Sequence, residues 1–204
     1  MKNLRATLQR AREQGFTFNS EKFTYCSQEV SYFGNHITSE GLKPDNEKIA
    51  AIVNMPEPKN KAELQVFLGM VNYLSKFSAL IPPAVAPLRV LLKKNTPFVW
   101  ETQEEKAFAE TKRAVTQAET LSYFDPKSKV ELEVDASMDG LGAVLFQNGK
   151  PVAFASKALT PTERNYAQIE KELYAIVFGC ERFHQFVYGR TVVIHSDHKP
   201  LETL

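Results

Sequence analysis

With 204 residues, 43% hydrophobic and 24% charged, and a net charge of +1, the chain has the composition of an ordinary globular protein of one or two domains. No stretch approaches the roughly 18 uninterrupted apolar residues of a membrane span, so no membrane partner is expected. Lys2, Arg5, Arg10 and Arg12 break up any signal-peptide-like apolar centre, and Cys26 and Cys180 lie far apart in no metal-ligand spacing, which reads as an intracellular protein with free thiols. Residues 1–128 carry 17 basic against 14 acidic side chains and residues 129–204 carry 8 against 10. That mild split suits a phosphate-gripping part beside an acidic site, and suits a chance fluctuation equally well.

In chain order, Leu4, Leu8 and Ala11 mark one face of a first helix, with Gly15 as its C-cap. Phe16–Asn19 and Glu29–Phe33 read as short strands, with Gly34 allowing a tight turn. Residues 42–118 read as all helical. Pro44-Asp45 opens a helix with Ile49, Ile52 and Val53 inward, stopped by Pro56 and Pro58. Asn60 and Glu63 form a capping-box pattern before the stripe Leu64, Phe67, Leu68, Val71, Leu74 and Phe77. Pro82-Pro83 is expected to break the chain before a third helix through Leu88, Leu91 and Leu92. Thr102 with Glu105 should then open a fourth through Phe108 and Val115.

From Lys129 the pattern turns α/β. Val130, Leu132 and Val134 alternate with Glu131, Glu133 and Asp135 on a strand. A second strand through Val144–Phe146 meets Asn148-Gly149, a strong hairpin signal, and a third runs through Val152–Phe154. A long helix from about Thr162 is expected to turn Tyr166, Ile169, Leu173, Ile176, Val177, Cys180 and Phe183 inward. A strand at Thr191–Ile194 then leads to Asp197. The fourth strand should run parallel to the first.

Asp135 at a strand tip, Glu172 within a helix and Asp197 at the end of another strand are the candidate catalytic and metal-holding residues. Alone, each carboxylate is more commonly a solvated surface acid. Three delivered from strand, helix and strand suggest metal-dependent phosphodiester hydrolysis of ribonuclease H type. Glu172 lies in line with Gln168, Ala175 and Gly179, whose small size would let the helix sit close to the sheet. Asp139, before Gly140, reads as turn chemistry. Glu170 sits about 200° around the helix from Glu172 and cannot share its site.

The chain from about residue 30 resembles the thumb-to-ribonuclease H segment of gypsy-type long-terminal-repeat retrotransposon Pol polyproteins. The resemblance is carried by Tyr32-Phe-Gly-Asn35, Gly41-Leu-Lys-Pro-Asp45 with Lys48-Ile49, Phe67-Leu-Gly69 with Asn72-Tyr73, and Pro87-Leu88 with Leu91-Leu-Lys-Lys94. It continues through Phe98-Val-Trp100, Asp135-Ala-Ser137, Gly140-Leu-Gly-Ala-Val144, Glu170-Lys-Glu172 and Asp197-His-Lys-Pro-Leu201. The family's usual Phe-Leu-Gly-His turn is Tyr32-Phe33-Gly34-Asn35 here, and its Trp-Pro is Met55-Pro56. Both changes bear on packing and primer contact rather than reaction class.

What the resemblance implies is an α+β chain. Residues 1–41 would end a reverse transcriptase palm with a primer-contacting turn, 42–118 would form a helical thumb and connection, 119–128 a linker, and 129–204 a C-terminally truncated ribonuclease H-like domain. The implied parent activities are RNA-directed DNA synthesis and endonucleolytic, two-metal hydrolysis of RNA in RNA–DNA hybrids, with Mg²⁺ or Mn²⁺ as cofactor. Asp135 would bridge two ions, with Glu172 and Asp197 completing one site each. The polymerase aspartates are absent, so the chain alone is expected to lack polymerisation and to cleave hybrids weakly or not at all.

Implied partners are an RNA–DNA hybrid and a primer–template duplex, with upstream palm and fingers and a downstream ribonuclease H end and integrase in the parent. Tyr32, Phe33, Gly34 and Asn35 resemble the turn that positions a primer end. Lys59, Lys61, Lys76, Lys93 and Lys94 are candidate phosphate contacts, and His198 a further nucleic-acid contact. A cytoplasmic particle or the nucleus is the implied location. The rival reading is a non-catalytic retroelement-derived module that binds nucleic acid or protein.

Overall fold

The computed structural model describes residues 2–196. Helix α1 (Lys2–Glu13) ends at Gly15, whose φ of +75° supplies the left-handed residue that closes a helix. Residues 16–19 form no strand, contrary to expectation; Asn19 instead caps a 3₁₀ turn at Ser20–Lys22, its side chain accepting from the Glu21 amide. A short polar-capped turn satisfies that backbone without a partner strand.

Strands β1 (Val30–Tyr32), β2 (Asn35–Ile37) and β3 (Leu42–Pro44) form an antiparallel sheet in that order. Phe33 and Gly34 take φ of 46° and 68° between the paired Tyr32 and Asn35, a two-residue turn whose twist matches the strands it joins. Because β3 pairs with β2, a boundary at residue 41/42 would cut through this sheet, and the helical region opens on a strand.

Four helices follow: α2 (Asn46–Val53), α3 (Lys61–Leu74), α4 (Ile81–Val90) and α5 (Thr102–Thr116). Asp45 caps α2 by accepting from the Glu47 amide, and Asn60 caps α3 by accepting from Glu63. The whole α3 stripe is buried, as its spacing predicts, and packs with Ile52, Val85, Leu88, Phe108 and Val115. Three details differ. Val53 is exposed at the margin of α2. Pro82 and Pro83 lie inside the first turn of α4 rather than before it, where a missing N–H costs nothing. The cap of α5 is Glu101 rather than Thr102, because Glu104 reaches back to the Glu101 amide at 3.2 Å.

The second sheet has the order β6-β5-β4-β7, with β4 at Val130–Ala136, β5 at Gly140–Gln147, β6 at Lys150–Ala158 and β7 at Val192–His195. The first three are antiparallel and β7 runs parallel to β4, as expected. Asn148 and Gly149 both take positive φ, 53° and 70°, and make the tight β5–β6 turn.

The expected single helix is two, since two start signals compete. Thr160 and Glu163 box the short α6 (Pro161–Arg164), and Glu170 accepts from the Ala167 amide at 2.8 Å to open α7 (Gln168–Arg182). A one-turn α8 (His184–Val187) follows.

The inward face of α7 is also not the expected one. Ile169, Leu173 and Val177 are exposed, at 37%, 41% and 50%, and Tyr166 is exposed too, while Lys171, Glu172, Ala175 and Gly179 are buried. Of the expected set only Phe183 is fully buried. Hydrophobicity pointed to the large side chains; close approach to the sheet requires the small ones. A Cβ on Gly179 would lie 3.1 Å from Leu132 Cδ2 and 3.3 Å from Ala143 Cβ, so the helix rests directly on β4 and β5.

The stretch expected as a linker is a strut. Leu121 makes a bridge with Leu42, exchanging hydrogen bonds of 2.8 and 2.9 Å, and the Glu119 amide donates to Phe77 O. The Ser122 amide donates to Pro151 O on β6, and Tyr123 Oη to Thr38 O. Phe154 of β6 packs on the helical core. Residues 119–123 thus tie both sheets and the helices together.

Candidate active site

Alternation along β4 decides where its acids point. Val130, Leu132, Val134 and Ala136 are buried beneath α7, so Glu131, Glu133 and Asp135 share the opposite, more open pleat. Asp135 is exposed there, opposite Gly142 on β5. The described pairing of β7 with β4 ends at Glu133, which faces His195 in register. Beyond that pair, Asp135 has β5 on one side and no described strand on the other.

Glu172 comes to the same end of β4 from the helix side. It is 2% exposed in the second turn of α7. Gln168, one turn earlier, donates from Nε2 to Glu172 Oε1 at 2.7 Å and to the Ala136 carbonyl at 3.0 Å. One amide therefore fixes the carboxylate and pins the helix to the residue after Asp135. The structure brings together Glu172, Gln168 and the end of β4, with Asp135 one position along the strand and on its other face. Asp197 and His198 lie outside the described residues. Among those described, no group of three or more His, Cys, Asp or Glu side chains gathers as a metal cluster. The donor set that is present, carboxylate oxygens, is the kind a hard cation takes.

Both acids set aside by sequence have other work. Asp139 pairs with Arg164 at 3.2 Å and its carbonyl accepts from Leu159, closing the turn after β4. Glu170 is the α7 cap. Sequence reasoning missed the Glu131–His195 contact of 2.9 Å, which fastens β7 to β4 on the Asp135 face. It also missed the network behind α6. There Glu163 meets Lys157 at 2.8 Å and Tyr174 at 2.9 Å, and Lys157, with lesser help from the Thr160 amide, holds its carboxyl down to about 2.

The candidate nucleic-acid contacts fall into two groups. Lys59, Lys93 and Lys94 are exposed near the start of α3, where Lys61 Nζ donates to the Lys93 carbonyl at 3.2 Å. Lys76 lies one helix length away, roughly 20 Å at 1.5 Å per residue. It joins the β1–β2 turn, where Tyr32 and Phe33 are 60% and 77% exposed and Gly34 and Asn35 half-buried. The turn is fastened to α3 by Tyr73, whose hydroxyl donates to the Phe33 carbonyl.

Three antiparallel strands, a crossover helix, a parallel fourth strand beside the first, and an acid near the end of that first strand define a ribonuclease H-like domain. Residues 100–194 match the RNase H-like domain found in reverse transcriptase, a span that takes in α5 and the strut as well as the sheet. Over most of its length the chain is similar to the Pol polyproteins of retrotransposons. It is 37% identical over 185 residues to the retrovirus-related Pol polyprotein from transposon 297 of Drosophila melanogaster, covering 90% of this chain and 18% of that one. Against the gypsy Pol polyprotein of the same fly the identity is 33%, with 90% and 19% covered. Against the transposon Tf2-3 polyprotein of Schizosaccharomyces pombe it is 30%, with 98% and 16% covered. The chain therefore spans less than a fifth of the length of these relatives.

Its fold is shared with the foamy viral protease-reverse transcriptase. The structure of that protein in complex with double-stranded DNA aligns with a TM-score of 0.84 at 23% identity, covering all of this chain and 37% of that one. Its complex with an RNA/DNA hybrid aligns with a TM-score of 0.83 at 23% identity, covering 99% and 28%.

Proposed function

We propose that the chain is the thumb and ribonuclease H region of a retrotransposon reverse transcriptase, and that its chemical task in the parent protein is cleavage of RNA in RNA–DNA hybrids. The observation that carries this reading is the Glu172–Gln168–Ala136 contact, which aims a buried carboxylate at the end of the strand that bears Asp135. Asp135, Glu172 and Asp197 are the residues that would hold Mg²⁺ or Mn²⁺. When bound there, such ions would make an attacking water more acidic and offset charge building on the phosphate.

The chain's own residues do the rest. Burial keeps Glu172 in one rotamer, Gln168 fixes its near oxygen, and Asp135 stays open to solvent where a phosphodiester can approach. The two lysine groups and the Tyr32–Asn35 turn would track phosphates, which suits recognition of a hybrid by shape and backbone rather than by base sequence.

The test is divalent-ion binding. Mn²⁺ should broaden the amide resonances around Asp135 and Glu172, and Asp135→Asn should abolish the effect. Broadening elsewhere alone would contradict the reading. Hybrid cleavage separates the hydrolase from the binding module: Mg²⁺-dependent cleavage lost in Asp135→Asn favours the first, and duplex binding indifferent to metal and to Asp135 favours the second.

A further inference from the structure

We infer that Glu163, with Lys157 and Tyr174, is a positioning group that fixes the rotation of α7 about its own axis and so holds Glu172 at the end of β4. The inference rests on the reading that Glu172 helps hold a divalent cation. One carboxylate does the joining. Glu163 Oε1 accepts from Lys157 Nζ of β6 at 2.8 Å and from the Tyr174 hydroxyl of α7 at 2.9 Å, and Oε2 accepts from the Thr160 amide at 2.7 Å. Lys157 also donates to the Tyr174 hydroxyl and lies 4.4 Å from the centroid of its ring. The Glu163 side chain is only 14% exposed, so these contacts meet little competition from water. At the other end, the Leu159 amide donates to the Asp139 carbonyl at 2.9 Å, in the turn that follows Asp135. The start of α6 is thereby fixed to the turn after β4, and Glu163 fixes the same helix to α7.

The geometry makes this a constraint on rotation. Counted at about 100° per residue, Tyr174 and Leu173 lie on opposite flanks of the buried line Glu172, Ala175 and Gly179. Gly179 lets the helix approach the sheet but has no side chain to resist turning. On one flank Ile169, Leu173 and Val177 are exposed, so packing there resists rotation little. The Tyr174 flank carries the tether, and Glu172 follows any turn of the helix because it shares its backbone. A functional constellation tolerates displacement of only about 0.5 Å and rotation of about 10–20°. Gln168 pins the first turn of α7 to Ala136, and Glu163 holds the next turn from the side.

The experiment uses the isotopically labelled 204-residue chain. Without metal, N–H residual dipolar couplings along α7 report the rotation of the helix relative to β4 and β5. With Mn²⁺, broadening of amides 135–137 and 168–172 reports affinity. Glu163→Ala and Tyr174→Phe should each shift the phase of the couplings along α7 and weaken Mn²⁺ binding, by about tenfold for Glu163→Ala. Glu163→Gln, which keeps an acceptor oxygen, should recover most of the loss. A role confined to stability would lower the unfolding temperature and leave both readouts unchanged in chains that remain folded. That result would overturn the inference while the cation reading stands. If the unsubstituted chain shows no broadening around Asp135 and Glu172, the cation reading fails and the inference with it. Thermal unfolding sets a temperature at which every variant is folded. If Glu163→Ala does not fold, Tyr174→Phe, which keeps the ring beside Lys157, decides on the same two readouts.

Discussion

Gln168 and Glu172 stand one helical turn apart, and the amide of the first spans the gap between the carboxylate of the second and the backbone of β4, at 2.7 and 3.0 Å. This contact couples the start of α7 to the strand end where Asp135 sits. Truncating one partner of a hydrogen bond to a buried charged group leaves that group short of a contact it cannot replace from solvent.

Gln168→Ala is therefore expected to destabilise the fold by about 1–3 kcal/mol in urea unfolding. It should also weaken Mn²⁺ binding, because Glu172 loses its fixed rotamer. Gln168→Met, which keeps the bulk without the amide, should behave like alanine for metal binding.

The approach of α7 to the sheet is set by Gly179. Adding a methyl there gains helix propensity of up to about 1 kcal/mol but meets Leu132 and Ala143 at 3.1–3.3 Å. Overpacking of this kind costs about 1–3 kcal/mol, so Gly179→Ala should be net destabilising. In a Leu132→Val background the cost should shrink, a coupling that a double-mutant cycle reads directly.

Gly41, at φ +147°, passes so close to the Leu121 carbonyl that any Cβ would collide with it. Gly41→Ala should therefore break the Leu42–Leu121 bridge. Hydrogen exchange at the amides of Leu42 and Leu121 should accelerate together, while amides within β4 and β5 keep their protection.

Glu163 gives the fold a pH dependence. Its folded pKa of about 2 lies below the ordinary 4.5, chiefly because Lys157 donates to it. A depressed carboxylate contributes stability that is complete above the unfolded value and is lost as pH falls toward the folded one. Stability should decline between about pH 4.5 and 2, and Glu163→Gln should flatten that decline. An unchanged profile would show that other carboxylates dominate.

Much of this architecture can be read from the chain because local signals agree with the tertiary outcome. The α3 stripe, the Asn148-Gly149 turn and the β4 alternation each encode one answer. The α7 face was not legible by hydrophobicity, since the side that meets the sheet is chosen for smallness and carries Lys171 and Glu172. The line Glu172, Ala175, Gly179 is the signal that does identify it. The strut at 119–123 was hidden because the bonds of Glu119, Leu121 and Ser122 join backbone groups, which side-chain patterns do not encode. The Glu131–His195 contact joins residues 64 apart and becomes visible only once β7 is placed beside β4.

The most direct test of the central claim is an Mn²⁺ titration of the isotopically labelled chain followed by amide resonances. Signals from residues 135–137 and 168–172 should broaden first, Asp135→Asn and Glu172→Gln should each abolish this, and Asp139→Asn should leave it intact. Broadening that ignores both substitutions, or that begins at Asp139, would contradict the proposal that Asp135 and Glu172 share a metal-binding site.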